Sequence, residues 1–327
     1  MDIFIKTGIE WIVLIQSLGG WLEIPMRFFS FLGSEEFFLL ILPALYWCID
    51  AQFGLRVGII LLVSTSLNNL LKLVFIGPRP YWVSASVKPL AEEHTFGVPS
   101  GHSETAMGVW GISAWYLRKA WAWVVAIVVI ALIGFSRLYL GVHFPHDVFF
   151  GWAFGALTLW AFTAFWDRTA AWLKGQTFIN QVALAFGVSL LFVICGALLF
   201  SARSGYVLPA EWMTNAARAG ELPAPVSMEG VLTPAGTLFG LALGLAWMNR
   251  QGGYQASGPV MKRALRYILG LVGILVFWFA LGAVFPRQED LISYVLRYFR
   301  YMLVGFWVSG GAPWLFLHFN LADKPKG

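Results

Sequence analysis

Three short clusters between Lys72 and Asp147 hold most of the chemistry-bearing side chains of an otherwise apolar sequence. They are Lys72 with Arg79-Pro80, then Pro99-Ser100-Gly101-His102, then Ser136-Arg137 followed by His143 and Asp147. Lys72 offers a point charge, and Arg79 and Arg137 offer planar forks matched to phosphate oxygens. Ser100 and Gly101 stand where a helix is expected to begin, so free backbone N–H groups and the helix dipole favour an anion there. Three cations sharing a low-dielectric pocket repel one another unless a polyanion lies between them. Snorkelling to lipid headgroups accounts for Lys72 or Arg137 taken singly, but poorly for the set.

The remaining residues can attack a phosphate and protonate what leaves. His143 and Asp147 are four apart and Pro145 suits a first helical turn, so the two can share one face at a helix N-terminus. Asp147 then accepts from one ring nitrogen of His143 and leaves the other free as a nucleophile, giving a phosphohistidine. His102 follows the anion-binding turn and suits a general acid that later activates water. His146 and Glu104 are expected to have local polar roles. No metal or other cofactor is expected, because Lys72, Arg79 and Arg137 supply the positive charge that paired metal ions otherwise provide.

These clusters have to be positioned by a membrane protein. At 59% hydrophobic and 12% charged residues the chain lies far from the soluble average. Its net charge of +5 is spread in ones and twos between apolar runs, so there is no nucleic-acid stripe. Cys48 and Cys195 are too few for a disulfide framework and are read as core fillers. No cleavable signal peptide is expected from the mixed segment after Lys6.

Apolar runs predict about eight to ten spans at roughly 20 residues per crossing. Residues 3–30 are interrupted by Gly19-Gly20 and Pro25, and read either as a weak span or as an interfacial helix. Gly77 to Pro99 and Ser201 to Gly230 read as extramembrane loops. The clusters then fall at consecutive membrane boundaries on one face. Alternating the spans places Arg56, Arg118-Lys119, Arg168, Lys174, Arg250, Lys262-Arg263, Arg266, Lys324 and Lys326 on one side, and Glu35-Glu36, Lys88, Glu92-Glu93, Arg203, Glu211, Arg218, Glu221, Arg287 and the clusters on the other. By the positive-inside rule the chemistry faces out of the cytoplasm.

The spacing Lys72-x6-Arg79-Pro80, Pro99-Ser100-Gly101-His102 and Ser136-Arg137-x5-His143-x3-Asp147 resembles the three-part signature of the type 2 phosphatidic acid phosphatase superfamily. The resemblance implies an all-α, polytopic transmembrane bundle with a six-helix phosphatase core over residues 1–175. Residues 176–327 add spans of unassigned role, which can shape a groove, mediate a homodimer or carry lipid transport. It implies a metal-independent phosphatase of lipid phosphates or pyrophosphates, with His143 as nucleophile, Asp147 as its partner and His102 as acid. Lys72, Arg79, Ser100, Gly101 and Arg137 would bind the phosphoryl group. Arg79-Pro80-Tyr81-Trp82 and His143-Phe144-Pro145-His146 also resemble the glucose-6-phosphatase branch, whereas Asp147 points back to the lipid phosphatases. A catalytically silent lipid-binding or transport protein on the same bundle is the alternative from another class.

Overall fold

The structure, a computed structural model, describes residues 3–220 and 222–325; Glu221 and Lys326, used in the charge asymmetry, lie outside them. The described residues form helices and no strand. In chain order they are α1 (Ile3–Gln16), α2 (Glu23–Phe31), α3 (Glu35–Ala44), α4 (Ala51–Phe75), the single turn α5 (Pro80–Val83), α6 (Gly101–Leu117), α7 (Ala120–Tyr139) and α8 (Pro145–Lys174). There follow α9 (Phe178–Arg203), α10 (Ala210–Ala216), α11 (Glu229–Arg250), α12 (Val260–Leu275), α13 (Leu281–Val284), α14 (Leu291–Phe306) and α15 (Ala312–His318). The protein is thus a polytopic helical bundle, as its apolar composition requires: a bilayer offers the backbone no water, so a spanning segment must satisfy its own N–H and C=O groups.

Among the described residues six stretches are long and apolar enough to cross a membrane: Ala51–Val83, Ala120–Tyr139, Pro145–Lys174, Phe178–Arg203, Glu229–Arg250 and Val260–Val284. The interrupted N-terminal segment forms α1 and the Gly20–Phe31 helix, bent by 88°, which make a seventh if taken as one broken span. The further crossings predicted from apolar runs correspond to shorter or more polar helices. Among them, α6 has 17 residues and α14 carries Arg297 and Arg300.

The chain divides into two compact units. The first takes residues up to Phe38, then Leu67–Ala161 and Ala197–Ser227, and holds all three clusters. Its core packs Ile12, Trp82, Phe96, Tyr139, Val142 and Phe144 together. Gln16 at the end of α1 ties this core to the loop after α5, donating to the carbonyls of Lys88 and Tyr139 and accepting the Lys88 N–H. Helices α6 and α8 run backbone to backbone, because a Cβ on Gly151 would lie 2.6 Å from the Ser100 carbonyl oxygen. Only glycine allows that approach.

Ser201 to Gly230, read as a loop, packs onto the first unit through its first half and α10. Asn215 donates from Nδ2 to the Trp82 carbonyl at 3.0 Å, Trp212 lies beside the Trp82 ring and Tyr206 meets Phe96 edge-on. Arg203 donates to the Leu73 carbonyl at the end of α4.

The second unit, Leu39–Ser66 with Phe162–Gly196 and the residues from Met228 on, has its own core around Trp47, Tyr254, Ile274 and Phe316. There α11 and α14 meet closely, with Gly240 facing the Met302 carbonyl. Arg266, counted among the topology-setting cations, is fully buried and donates to the carbonyls of Gln255, Ala256 and Ser257. Its charge therefore also holds the turn preceding α12.

Candidate active site

The clusters converge because each lies at a helix end. Lys72 is in the last turn of α4, Arg79 precedes α5, Ser100 caps α6, Arg137 is in the last turn of α7, and His143 and Asp147 flank Pro145 at the start of α8. Two backbone bonds join them. The Ser100 N–H donates to the Asp147 carbonyl at 3.0 Å, and the Gly97 N–H to the Gly77 carbonyl at 2.8 Å, which closes the loop between the first and second clusters.

His143 is 1% exposed and Asp147 is fully buried. His143 Nδ1 lies 3.2 Å from Asp147 Oδ2, and that same oxygen accepts the Phe144 N–H at 2.9 Å. The carboxylate is therefore oriented by the backbone and in turn fixes the imidazole, assigning the proton to Nδ1. Nε2 is left to face Arg79 Nη1 at 3.2 Å. Burial first, then the neighbouring cations Arg79, Arg137 and Lys72, hold the His143 pKa well below its ordinary value, so the neutral ring is favoured. His146, read as a local polar residue, stacks on Phe144 and brings Nε2 to 3.1 Å from Asp147 Oδ1.

Arg79 is wholly buried, and its fork is already in use. Nε donates to the Thr95 carbonyl at 2.6 Å, Nη1 to the Val142 carbonyl, and Nη2 to the Thr95 hydroxyl, the Phe96 carbonyl and Glu93 Oε2. Lys72 Nζ donates to the Thr95 hydroxyl at 2.7 Å. Arg137 donates from Nη1 to Ser30 and from Nη2 to Glu93 Oε1. The three cations thus converge on the segment Glu93 to Phe96, Lys72 and Arg79 through the Thr95 hydroxyl and Arg79 and Arg137 through the Glu93 carboxylate.

Ser100 departs from the sequence expectation in one respect. Its N–H is engaged by Asp147, and its buried hydroxyl accepts from the Ser103 N–H and hydroxyl, so it caps α6 instead of lying open to a ligand. Gly101 and His102 are left to present the leading N–H groups of that helix. The His102 ring makes no hydrogen bond to another described residue, and its Cδ2 edge lies against Gly33. Beneath the cap, Asn68 donates to the Pro99 carbonyl and to Glu104 Oε2, anchoring α6 to α4. Ser136 bonds back to the Ile133 carbonyl within α7 and takes no part in the pocket.

Sequence reasoning missed Glu93, Thr95 and Ser30. Each touches a cluster cation across 14 to 107 positions, and the acidic Glu92-Glu93 pair entered the sequence reading only as part of an extramembrane loop and its side of the membrane. Two carboxylates in the loop between the first two clusters were the one signal available for Glu93.

Residues 53–171 match the PAP2 superfamily model, and residues 232–324 match a model described as the transmembrane extension of PAP2 superfamily phosphatases. Phosphatidylglycerophosphatase B of Bacillus subtilis is 30% identical over 161 residues, covering 45% of this chain and 77% of that protein. The chain belongs to the PAP2 superfamily. Glucose-6-phosphatase 3 of Bos taurus is similar to this PAP2 chain end to end, 28% identical over 359 residues and covering 99% of both. Among solved structures, the transmembrane PAP2 type phosphatidylglycerolphosphate phosphatase from Bacillus subtilis shares 27% identity, with a TM-score of 0.44 over 51% of this chain and 88% of the other. This PAP2 protein is a multi-pass integral membrane phosphatase that hydrolyses phosphate esters.

Proposed function

We propose that this PAP2 phosphatase hydrolyses a lipid phosphate or diphosphate on the extracytoplasmic face through a phosphohistidine at His143. The observation that carries the reading is the His143 ring, held on Asp147 by Nδ1 with Nε2 turned to Arg79 at 3.2 Å. In the first step Nε2 attacks phosphorus, the bond to the leaving oxygen breaks, and His102, whose pKa burial and then Arg137 hold down to about 3 and which takes up a proton as the phosphoryl charge enters beside it, gives that oxygen its proton. In the second step His102 takes a proton from water, whose oxygen displaces His143 and releases inorganic phosphate. Arg79, Arg137, Lys72 and the leading N–H groups of α6 stabilise the charge on the equatorial oxygens, and no metal is required.

Amphiphilic substrates fit a site built from helix ends, because such ends lie at the level of lipid headgroups. The excess of lysine and arginine at the opposite helix ends supports an extracytoplasmic orientation. Residues 1–175 would carry the catalysis and residues 176–327 the added membrane helices. A soluble sugar phosphate is the second reading, favoured by the end-to-end similarity to glucose-6-phosphatase 3, which lipid-phosphatase relatives match over only part of the chain.

The test uses detergent-purified protein and substrates labelled on the phosphoryl group. Phosphatidate, an isoprenoid diphosphate and glucose 6-phosphate are compared. Acid quenching too brief to hydrolyse phosphohistidine should trap base-stable label on the wild type and none on His143→Ala. Turnover of glucose 6-phosphate alone would overturn the lipid reading, and full activity of His143→Ala would overturn the mechanism.

A further inference from the structure

The pocket that should hold a phosphoryl group already contains an anion. Glu93 puts Oε2 at 3.2 Å from Arg79 Nη2 and pairs Oε1 with Arg137 Nη2, one oxygen to each guanidinium. This is the bridging arrangement that two phosphoryl oxygens would adopt between the same forks. We infer that Glu93 is a charge filter: its carboxylate occupies the anion position between Arg79 and Arg137, and only a phosphoryl group carrying two negative charges displaces it. This rests on the reading of the pocket as the phosphate site.

The surroundings let the side chain leave without the loop. The Glu93 carbonyl is pinned by the Tyr81 hydroxyl at 3.0 Å, and Thr95 is held by Arg79 through its carbonyl and hydroxyl. The Glu93 side chain itself is 20% exposed, between the exposed residues Glu92 and His94, so it has a route to solvent. Burial alone would raise its pKa, but Arg79 and then Arg137 outweigh that and hold it below the ordinary carboxylate range. The filter therefore stays charged at any working pH.

The exchange decides which phosphates enter. A carboxylate brings one charge, whereas a phosphomonoester or a terminal diphosphate group brings about 1.5 to 2 at neutral pH. A dianion adds charge between Arg79 and Arg137, and its third free oxygen can take up Lys72. A phosphodiester brings one charge and two free oxygens, so it gains nothing over Glu93 and still has to shed its hydration. Since bilayer headgroups are mostly phosphodiesters in vast excess at the mouth of the site, a pocket of three bare cations would be inhibited by its own membrane. Glu93 keeps those headgroups out.

Calorimetric titration of the purified wild type with methyl phosphate and dimethyl phosphate should show the monoester binding at least about 100-fold more tightly. Glu93→Gln keeps the shape and removes the charge. It should bind inorganic phosphate about 10-fold more tightly than wild type, and its turnover should become inhibited by phosphatidylglycerol in mixed micelles. Similar affinity of the wild type for both methyl esters would overturn the inference, as would weaker phosphate binding by Glu93→Gln, which would make Glu93 a support for the arginines. The wild-type titration stands even if Glu93→Gln fails to fold. Because it needs no turnover, failure of the phosphohistidine mechanism leaves the titration result interpretable.

Discussion

The carbonyl of Asp147 accepts the Ser100 N–H at 3.0 Å, so the residue that holds the His143 ring also fixes the cap of the helix carrying His102. The two helix starts that carry His143 with Asp147 and His102, the proposed nucleophile pair and general acid, are thereby joined by a backbone hydrogen bond. Side-chain substitutions at Asp147 leave that bond in place, so they report on the carboxylate alone.

Asp147→Asn should therefore lower kcat by about 100- to 10,000-fold with KM changed by no more than a few-fold, since an amide can stabilise the wrong tautomer of His143. Steady-state kinetics on a water-soluble aryl phosphate would check this. An equal loss in KM would indicate that Asp147 acts on binding instead.

His102→Gln should slow substrates with poor leaving groups by about 100-fold or more and affect p-nitrophenyl phosphate far less, because nitrophenolate departs without a proton. A plot of rate against leaving-group pKa should steepen in the variant. A uniform loss across the series would remove His102 from the acid role.

The depressed pKa of His143 sets the direction of two pH effects. The folded ring stays neutral as pH falls below its ordinary 6.5, so the acid limb of kcat/KM should not follow a group of pKa 6.5. The unfolded chain does take up a proton there, so folded stability declines as pH drops from 6.5 toward the lower folded value. Glu93, also depressed, adds a loss only below its ordinary 4.5. Thermal unfolding of His143→Gln between pH 6.5 and 4.5 should show a shallower decline than wild type.

Gly151→Ala should destabilise the protein by about 1–3 kcal/mol, because the added methyl meets the Ser100 carbonyl and forces α8 away from α6. Since Ser100 and Asp147 sit at that contact, kcat should drop along with the melting temperature. Gly175→Ala, where the nearest atom to the added carbon is 3.4 Å away, is the matched control and should leave activity unchanged.

Excess chelator should leave turnover unchanged, and vanadate, which adopts the pentacoordinate geometry of the transition state, should inhibit competitively. The basis is the cation set of Lys72, Arg79 and Arg137 around one pocket. Restoration of a chelated sample by a divalent ion would contradict it.

What the sequence determined by itself follows from local rules. Runs of apolar residues bounded by Asp50, Pro145 or Asp290 become helices because a bilayer permits little else, and the clusters lie at helix ends because charged groups cannot stay in the hydrocarbon. The side chains whose chemistry suits binding, attacking and protonating a phosphate are therefore legible in the sequence. Tertiary structure alone decided which groups are engaged: Ser100 spends its N–H on Asp147, Arg79 is occupied by the Thr95 loop, and Glu93 joins two arginines 58 residues apart in sequence. It also showed that Tyr206, Trp212 and Asn215, in a segment whose composition reads as an extramembrane loop, cover Trp82 and Phe96. Such contacts have no period and no fixed spacing, because each depends on where two distant helix ends stop, and that is set by the close packing of backbones at positions such as Gly151.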